Sequence, residues 1–145
     1  MKKYLTEFIG TFFLVLTVCL AAGGRTSIPP FAIGASLMAM VYMGGPISGA
    51  HYNPAVSIAL LLSRKLAGAD LVPYIFAQLA GAVAAAATGD WILGAPFAPA
   101  PATTATSLQA LVVEALYTFA LCLVVLNVAT SKRSAGNSYF GLAIG

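Results

Sequence analysis

The chain has 145 residues, 60% of them hydrophobic and only 8% charged, with a mean hydropathy of +0.93. Soluble domains carry about a quarter charged residues, so this composition excludes a water-soluble globule and points to a membrane protein of several spans. The net charge of +3 comes from seven basic residues that form no stripe, which excludes a nucleic-acid surface.

The first apolar run covers about Tyr4 to Ala22 and ends at Gly23, Gly24 and Arg25. It is full length and has no small-residue cleavage site, so it reads as a retained span rather than a signal peptide. The second starts after Pro29 and Pro30, a helix-start signal, and runs to about Gly44, where Gly44-Gly45-Pro46 is expected to break it. The third covers about Leu71 to Thr88 and the fourth about Ser107 to Thr130. Tyr139 to Gly145 reads as the opening of a fifth. The uncharged stretch GAPFAPAPATTATS between spans three and four reads as a surface loop. Cys19 and Cys122 lie inside apolar runs and read as small apolar residues rather than a disulfide.

Between spans two and three lies ISGAHYNPAVSIALLLSRKL, apolar yet carrying a histidine, an asparagine and a proline. Asn53 is a good N-cap and Pro54 suits a first helical position. A helix from Pro54 to Leu62 would be about 13.5 Å long, close to half of a roughly 30 Å hydrocarbon core. Gly44 to Tyr52 holds three glycines and a proline and is expected to be non-helical. Irregular backbone at membrane depth survives only where protein buries it or water lines it. The segment therefore reads as a re-entrant loop followed by a half-helix; the bland alternative is a helix cap in a surface loop. Lys2, Lys3, Arg64, Lys65, Lys132 and Arg133 then share one side, with Arg25 alone opposite, and the positive-inside rule makes that side cytoplasmic.

A repeat supports this plan. EFIGTFFLVLTV from Glu7 matches EALYTFALCLVV from Glu114, and FAIG at residues 31–34 matches LAIG at 142–145. Three spans per repeat invert the second copy, as in many membrane transport proteins. The expected division is a first repeat over residues 1–106 and an incomplete second over 107–145. A carboxylate within a span is costly and usually faces the bundle interior. Glu7 and Glu114, at equivalent positions, are expected to accept hydrogen bonds from re-entrant N–H groups. For Glu7 the alternative is a carboxylate reaching out to the cytoplasmic surface. Gln78, inside span three, would bond the loop or join neighbouring helices.

At these residues the chain resembles the aquaporin, or major intrinsic protein, family. ISGAHYNPAVS is similar to the family's first Asn-Pro-Ala box, and TEFIGTFFLVL, YIFAQLAGAVAA, VVEALYTFALCLVV and LAIG follow the order of its first, third, fourth and early fifth helices. The resemblance covers nearly the whole chain and is nearer to bacterial water-type members than to glycerol facilitators. It implies an all-α integral membrane bundle with an inverted repeat, here four spans, one re-entrant half-helix and the start of a fifth span, in a bacterial inner membrane. It implies passive passage of water or small neutral solutes, a homotetramer for the complete protein, and no cofactor, metal or catalytic residue. Asn53 would donate its amide to permeating water, Pro54 and Ala55 would stack the two boxes, and carbonyls of Gly49, Ala50 and His51 would line the cytoplasmic half of the pore. Glu7 and Glu114 would hold the loops.

There are departures from the pattern. Ile33 stands where the family's constriction often has an aromatic residue, which implies a wider, softer filter. The second Asn-Pro-Ala box is absent from these residues, so a chain ending here is expected to leave Asn53 facing an open cleft and not to conduct selectively by itself. Two rival readings follow: a non-conducting membrane fragment, and an intramembrane hydrolase using Ser48 and His51. The second lacks any group to orient His51.

Overall fold

The computed structural model describes residues 1–101 and 103–145. The interhelical loop reading therefore has Ala102 outside the described residues, and the Arg25 side chain lies outside them too. The described residues form α1 (Lys2–Leu20), α2 (Pro29–Ser48), α3 (Pro54–Leu62), α4 (Gly68–Leu93), α5 (Ser107–Val128) and α6 (Phe140–Ile144), with a single 3₁₀ turn at Lys132–Ser134. α1 ends in a wider turn over Ala21–Arg25, in which Gly24 takes φ 90°. Four of these helices are long and apolar enough to cross a membrane: α1 with its final turn, α2, α4 and α5.

α1 is the central element, packed against α4 on one side and α2 on the other. Small residues permit that approach. A side chain at Gly81 on α4 would run into the Phe8 carbonyl on α1 at 2.5 Å, so only glycine lets the two backbones meet. Gly10 and Gly44 leave the space that the Tyr52 ring fills. One apolar cluster joins Val41, Ala50 and Tyr52 with Leu14, Leu37 and Met40. A second joins Val56 and Leu60 of α3 with Val125 of α5, and Ile144 of α6 packs against both. Large apolar side chains such as Phe76, Val83, Leu111 and Phe119 lie exposed on the outer helix faces, as suits helices in an apolar surrounding rather than in water. The protein is an integral, multi-pass membrane protein.

The half-helix runs over the nine residues expected of it, Pro54 to Leu62. Its exit is a Schellman turn: Lys65 N–H donates to Leu60 O at 2.7 Å and Arg64 N–H to Leu61 O at 2.9 Å. Arg64 takes the left-handed position of that turn, at φ 57°, where glycine is usual. Lys3 pairs with Asp70 at 2.6 Å, and Tyr4 donates to the same carboxylate at 2.8 Å, so α1 and α4 start at the same end of the bundle. Lys65, just past the half-helix, lines a cavity together with Lys3 and Asp70. α3 thus leaves by the end at which α2 arrived.

One expectation is corrected. α2 does not break at Gly44-Gly45-Pro46 but stays helical to Ser48, through Pro46. Proline removes one backbone bond, yet transmembrane helices absorb this when nearby groups take over the freed acceptors. The helix stops one turn later, where Gly49 adopts φ 87°.

Candidate functional site

Residues 49–53 connect α2 to α3 in an irregular path that a helix could not follow. Gly49, Ala50 and Tyr52 all have positive φ, at 87°, 52° and 49°. For Ala50 and Tyr52 this costs about 1–2 kcal/mol each, so other contacts must hold the loop. The alternation of backbone hands turns successive N–H groups toward one point and forms an anion-binding nest.

The anion in that nest is the carboxylate of Glu7. Its Oε1 accepts from His51 N–H at 3.0 Å and from Ser48 Oγ at 2.6 Å. Its Oε2 accepts from Tyr52 N–H at 2.8 Å and from Gln78 Nε2 at 2.8 Å. Four donors meet the two oxygens, and Glu7 is 0% exposed. The surface-reaching alternative for Glu7 is therefore overturned. The loop is fastened at three further points. Ala50 N–H donates to Ser48 Oγ at 3.1 Å, Tyr74 Oη donates to Ser48 O at 2.7 Å, and Tyr52 Oη donates to Met40 O at 2.9 Å. Gln78 uses its second amide proton on Ser57 Oγ at 3.0 Å, tying α4 to the half-helix.

With the N–H groups turned to Glu7, the carbonyls of Gly49, Ala50 and His51 receive no hydrogen bond from any described group. Asn53 caps the half-helix: its Oδ1 accepts from Ala55 N–H at 2.8 Å. That fixes the amide orientation and leaves the two Nδ2 protons without a described partner. Pro54 and Ala55 form the first turn behind it.

Two cavities border this loop. The larger, about 520 Å³, opens at the Lys3 end and is lined by Gly49, His51, Lys65, Tyr74 and Asn137 among others. The smaller, about 30 Å³, has room for a water molecule and is lined by Ala50, His51, Tyr52, Asn53 and apolar side chains from α1, α2, α3, α5 and α6. His51 belongs to both. The larger cavity is a wide vestibule, and the smaller space beside Asn53 shares His51, Val125 and Ile144 with its wall. On the far side, Pro30, Phe31, Gly34, Met38 and Leu142 line an open hollow of about 420 Å³. Ile33 is half-buried on α2, beside Gly34, but is not among the residues lining that hollow. Glu114 is exposed on α5 beside the 99–110 segment, and no described group bonds its carboxylate. Only Val125 of α5 is buried.

Ser48 and His51 do not act on each other. Ser48 Oγ is committed to Glu7, while His51 Nδ1 meets Ser57 Oγ at 3.0 Å. The Ser48–His51 pair that the hydrolase reading names is therefore not formed. Ser57 and Tyr74 are the residues that the sequence did not single out. Ser57 lies one turn beyond Asn53 on α3, and the signal for it was a hydroxyl inside an otherwise apolar half-helix.

A family model described as major intrinsic protein matches residues 1–145. The chain is 39% identical to the glycerol uptake facilitator protein-like 6 of Lactiplantibacillus plantarum, over 100% of this chain and 71% of that protein. It is 38% identical to aquaporin NIP1-1 of Zea mays, over 99% of this chain and 54% of that protein. It is 36% identical to aquaporin AqpM of Methanothermobacter thermautotrophicus, over 99% of this chain and 71% of that protein. The chain thus spans about half the length of the plant relative and under three quarters of the other two. Sequence likeness over the whole chain joins the apolar helices, the re-entrant loop held by a buried carboxylate and the water-sized space at Asn53: the chain belongs to the major intrinsic protein family.

Proposed function

We propose that the protein is a passive membrane channel for water and other small neutral solutes, in which residues 1–145 supply the inner vestibule and the first half-helix. The observation that supports this reading is that Asn53 Nδ2 and the carbonyls of residues 49–51, all without a described partner, belong to residues lining two cavities that share His51. A small molecule there can donate to the carbonyls and accept from the amide. The half-helix N-terminus beside Asn53 carries partial positive charge that opposes cations, an effect already well known for channels of this kind. Neutral solutes with both donor and acceptor are the class this suits.

Solute size is open to more than water. Ile33 brings no aromatic ring to α2, and the Lactiplantibacillus relative is named for glycerol uptake. The proposal therefore includes small polyols. It also places the N-terminus in the cytoplasm, the protein in a cell's inner membrane, and four copies together in the complete assembly. Two repeats divided near residue 106 fit the pairing of Glu7 with Glu114. No step of this function breaks or forms a covalent bond.

Proteoliposomes holding the protein as its gene encodes it, studied by stopped-flow light scattering, test the reading. Water permeability well above that of empty vesicles, with glycerol re-swelling above background, is the expected result. Permeability equal to empty vesicles for both solutes would favour the non-conducting alternative, which draws on the exposed, unpaired Glu114 face of α5.

A further inference from the structure

We infer that Ser57 is a positioning residue that holds His51 with its proton on Nδ1, so that the bare Nε2 is a hydrogen-bond acceptor facing the vestibule. The inference rests on the channel reading for its consequence, but not for its geometry.

Three polar groups converge on Ser57 Oγ, which is fully buried: Gln78 Nε2 at 3.0 Å, His51 Nδ1 at 3.0 Å and Asn53 O at 3.2 Å. The roles of two are fixed. Gln78 must present its amide nitrogen, because the same group donates to the Glu7 carboxylate; turned over, its oxygen would face that anion. The Asn53 carbonyl can only accept. A hydroxyl has one proton and two acceptor positions. When the proton goes to Asn53 O, Ser57 accepts from Gln78 and from an Nδ1–H of His51, and all three contacts become hydrogen bonds. When the proton goes to His51 Nδ1 instead, the Ser57–Asn53 contact becomes two oxygens with no proton between them. The first arrangement keeps one more buried bond, a preference of roughly two- to tenfold.

The other ring nitrogen has no described partner and is not among the sealed, unsatisfied polar atoms, and it lies beside Gly49, where an added Cβ would sit 3.2 Å from it, on the vestibule side of the ring. The Tyr74 ring holds the imidazole in place, with centroids 4.9 Å apart. The path toward the narrow space then offers an acceptor, His51 Nε2, before a donor, Asn53 Nδ2. A solute that can donate first and accept next is matched to this order. Water, small alcohols and small amides qualify; a solute that only accepts does not.

His51 is the sole histidine of the chain, so its signals are unambiguous. The test is nitrogen-15 NMR of histidine-labelled protein in bilayers, at a pH where the ring is neutral. Wild type is expected to show a protonated Nδ1 and a bare Nε2. Ser57→Ala should lose that preference and populate the Nε2–H form, while Ser57→Thr, which keeps the hydroxyl, should restore it. Water permeability per folded channel should fall by up to about twofold in Ser57→Ala, as the Nδ1–H population drops toward one half, and recover in Ser57→Thr. A wild-type ring protonated on Nε2 overturns the inference, as does an Nδ1–H ring unchanged by Ser57→Ala. Loss of fold in Ser57→Ala leaves the decision to the wild-type and Ser57→Thr spectra. A wild-type protein that shows the Nδ1–H ring but passes no water refutes the channel reading and leaves the tautomer assignment standing.

Discussion

At the scale of single residues, Glu7 decides whether the site exists. It is the one anion in a buried nest of four donors, two of them backbone N–H groups of a loop whose Ala50 and Tyr52 are strained. Glu7→Gln retains one acceptor oxygen and turns an amide NH₂ toward two donors, for an expected loss of about 2 kcal/mol; Glu7→Leu leaves all four unpaired, at about 1–3 kcal/mol each before the loop relaxes. Thermal unfolding in detergent should therefore rank wild type above Gln and Gln well above Leu. Equal midpoints for the two variants would show that the carboxylate does not hold the loop. Glu7 was legible in the sequence because a carboxylate inside an apolar run has few affordable places. Ser57 was not, because a serine hydroxyl in a helix is usually satisfied by its own backbone and marks nothing by itself; Tyr74 was not, because its partner, the Ser48 carbonyl, lies 26 residues away in sequence.

The elements show which local signals survive packing. The half-helix was readable to the residue because Asn53, Pro54 and the Arg64-Lys65 pair each mark an end by a local rule. The end of α2 was misread, since Gly44-Gly45-Pro46 breaks helices in water but lies here against Tyr52, Thr6 and Phe140, which favour a continuous helix. Two expectations follow. Arg64→Gly should raise stability by about 0.5–1 kcal/mol, because glycine occupies the left-handed Schellman position without strain, and a shift in thermal midpoint would register it. Gly10→Val should lower stability by about 1–3 kcal/mol, since the new side chain would occupy the volume of the Tyr52 ring, which packing and the Met40 bond hold in place. A tolerated Gly10→Val would mean that Tyr52 can leave without loss of the loop.

For the whole molecule, helix number and the half-helix followed from hydropathy and local end signals, and the shared end of Lys3 and Lys65 from the charge pattern. The sharing of His51 by two cavities did not, because it depends on side chains from six helices whose relative placement no local pattern encodes. Cysteines placed at Lys2 and Arg64 should react with an impermeant reagent from the same side of the membrane; labelling from opposite sides would make α3 part of a span. The central claim is that the Asn53 amide lines a solute path, and the measurement that tests it most directly is osmotic water permeability of Asn53→Asp in proteoliposomes. Aspartate keeps an oxygen to cap Ala55 N–H, so the half-helix should remain folded, while the two donor protons are replaced by negative charge. The account predicts a folded protein whose water permeability drops at least severalfold and which gains a cation leak. A folded Asn53→Asp protein with wild-type water permeability and no cation leak would contradict it.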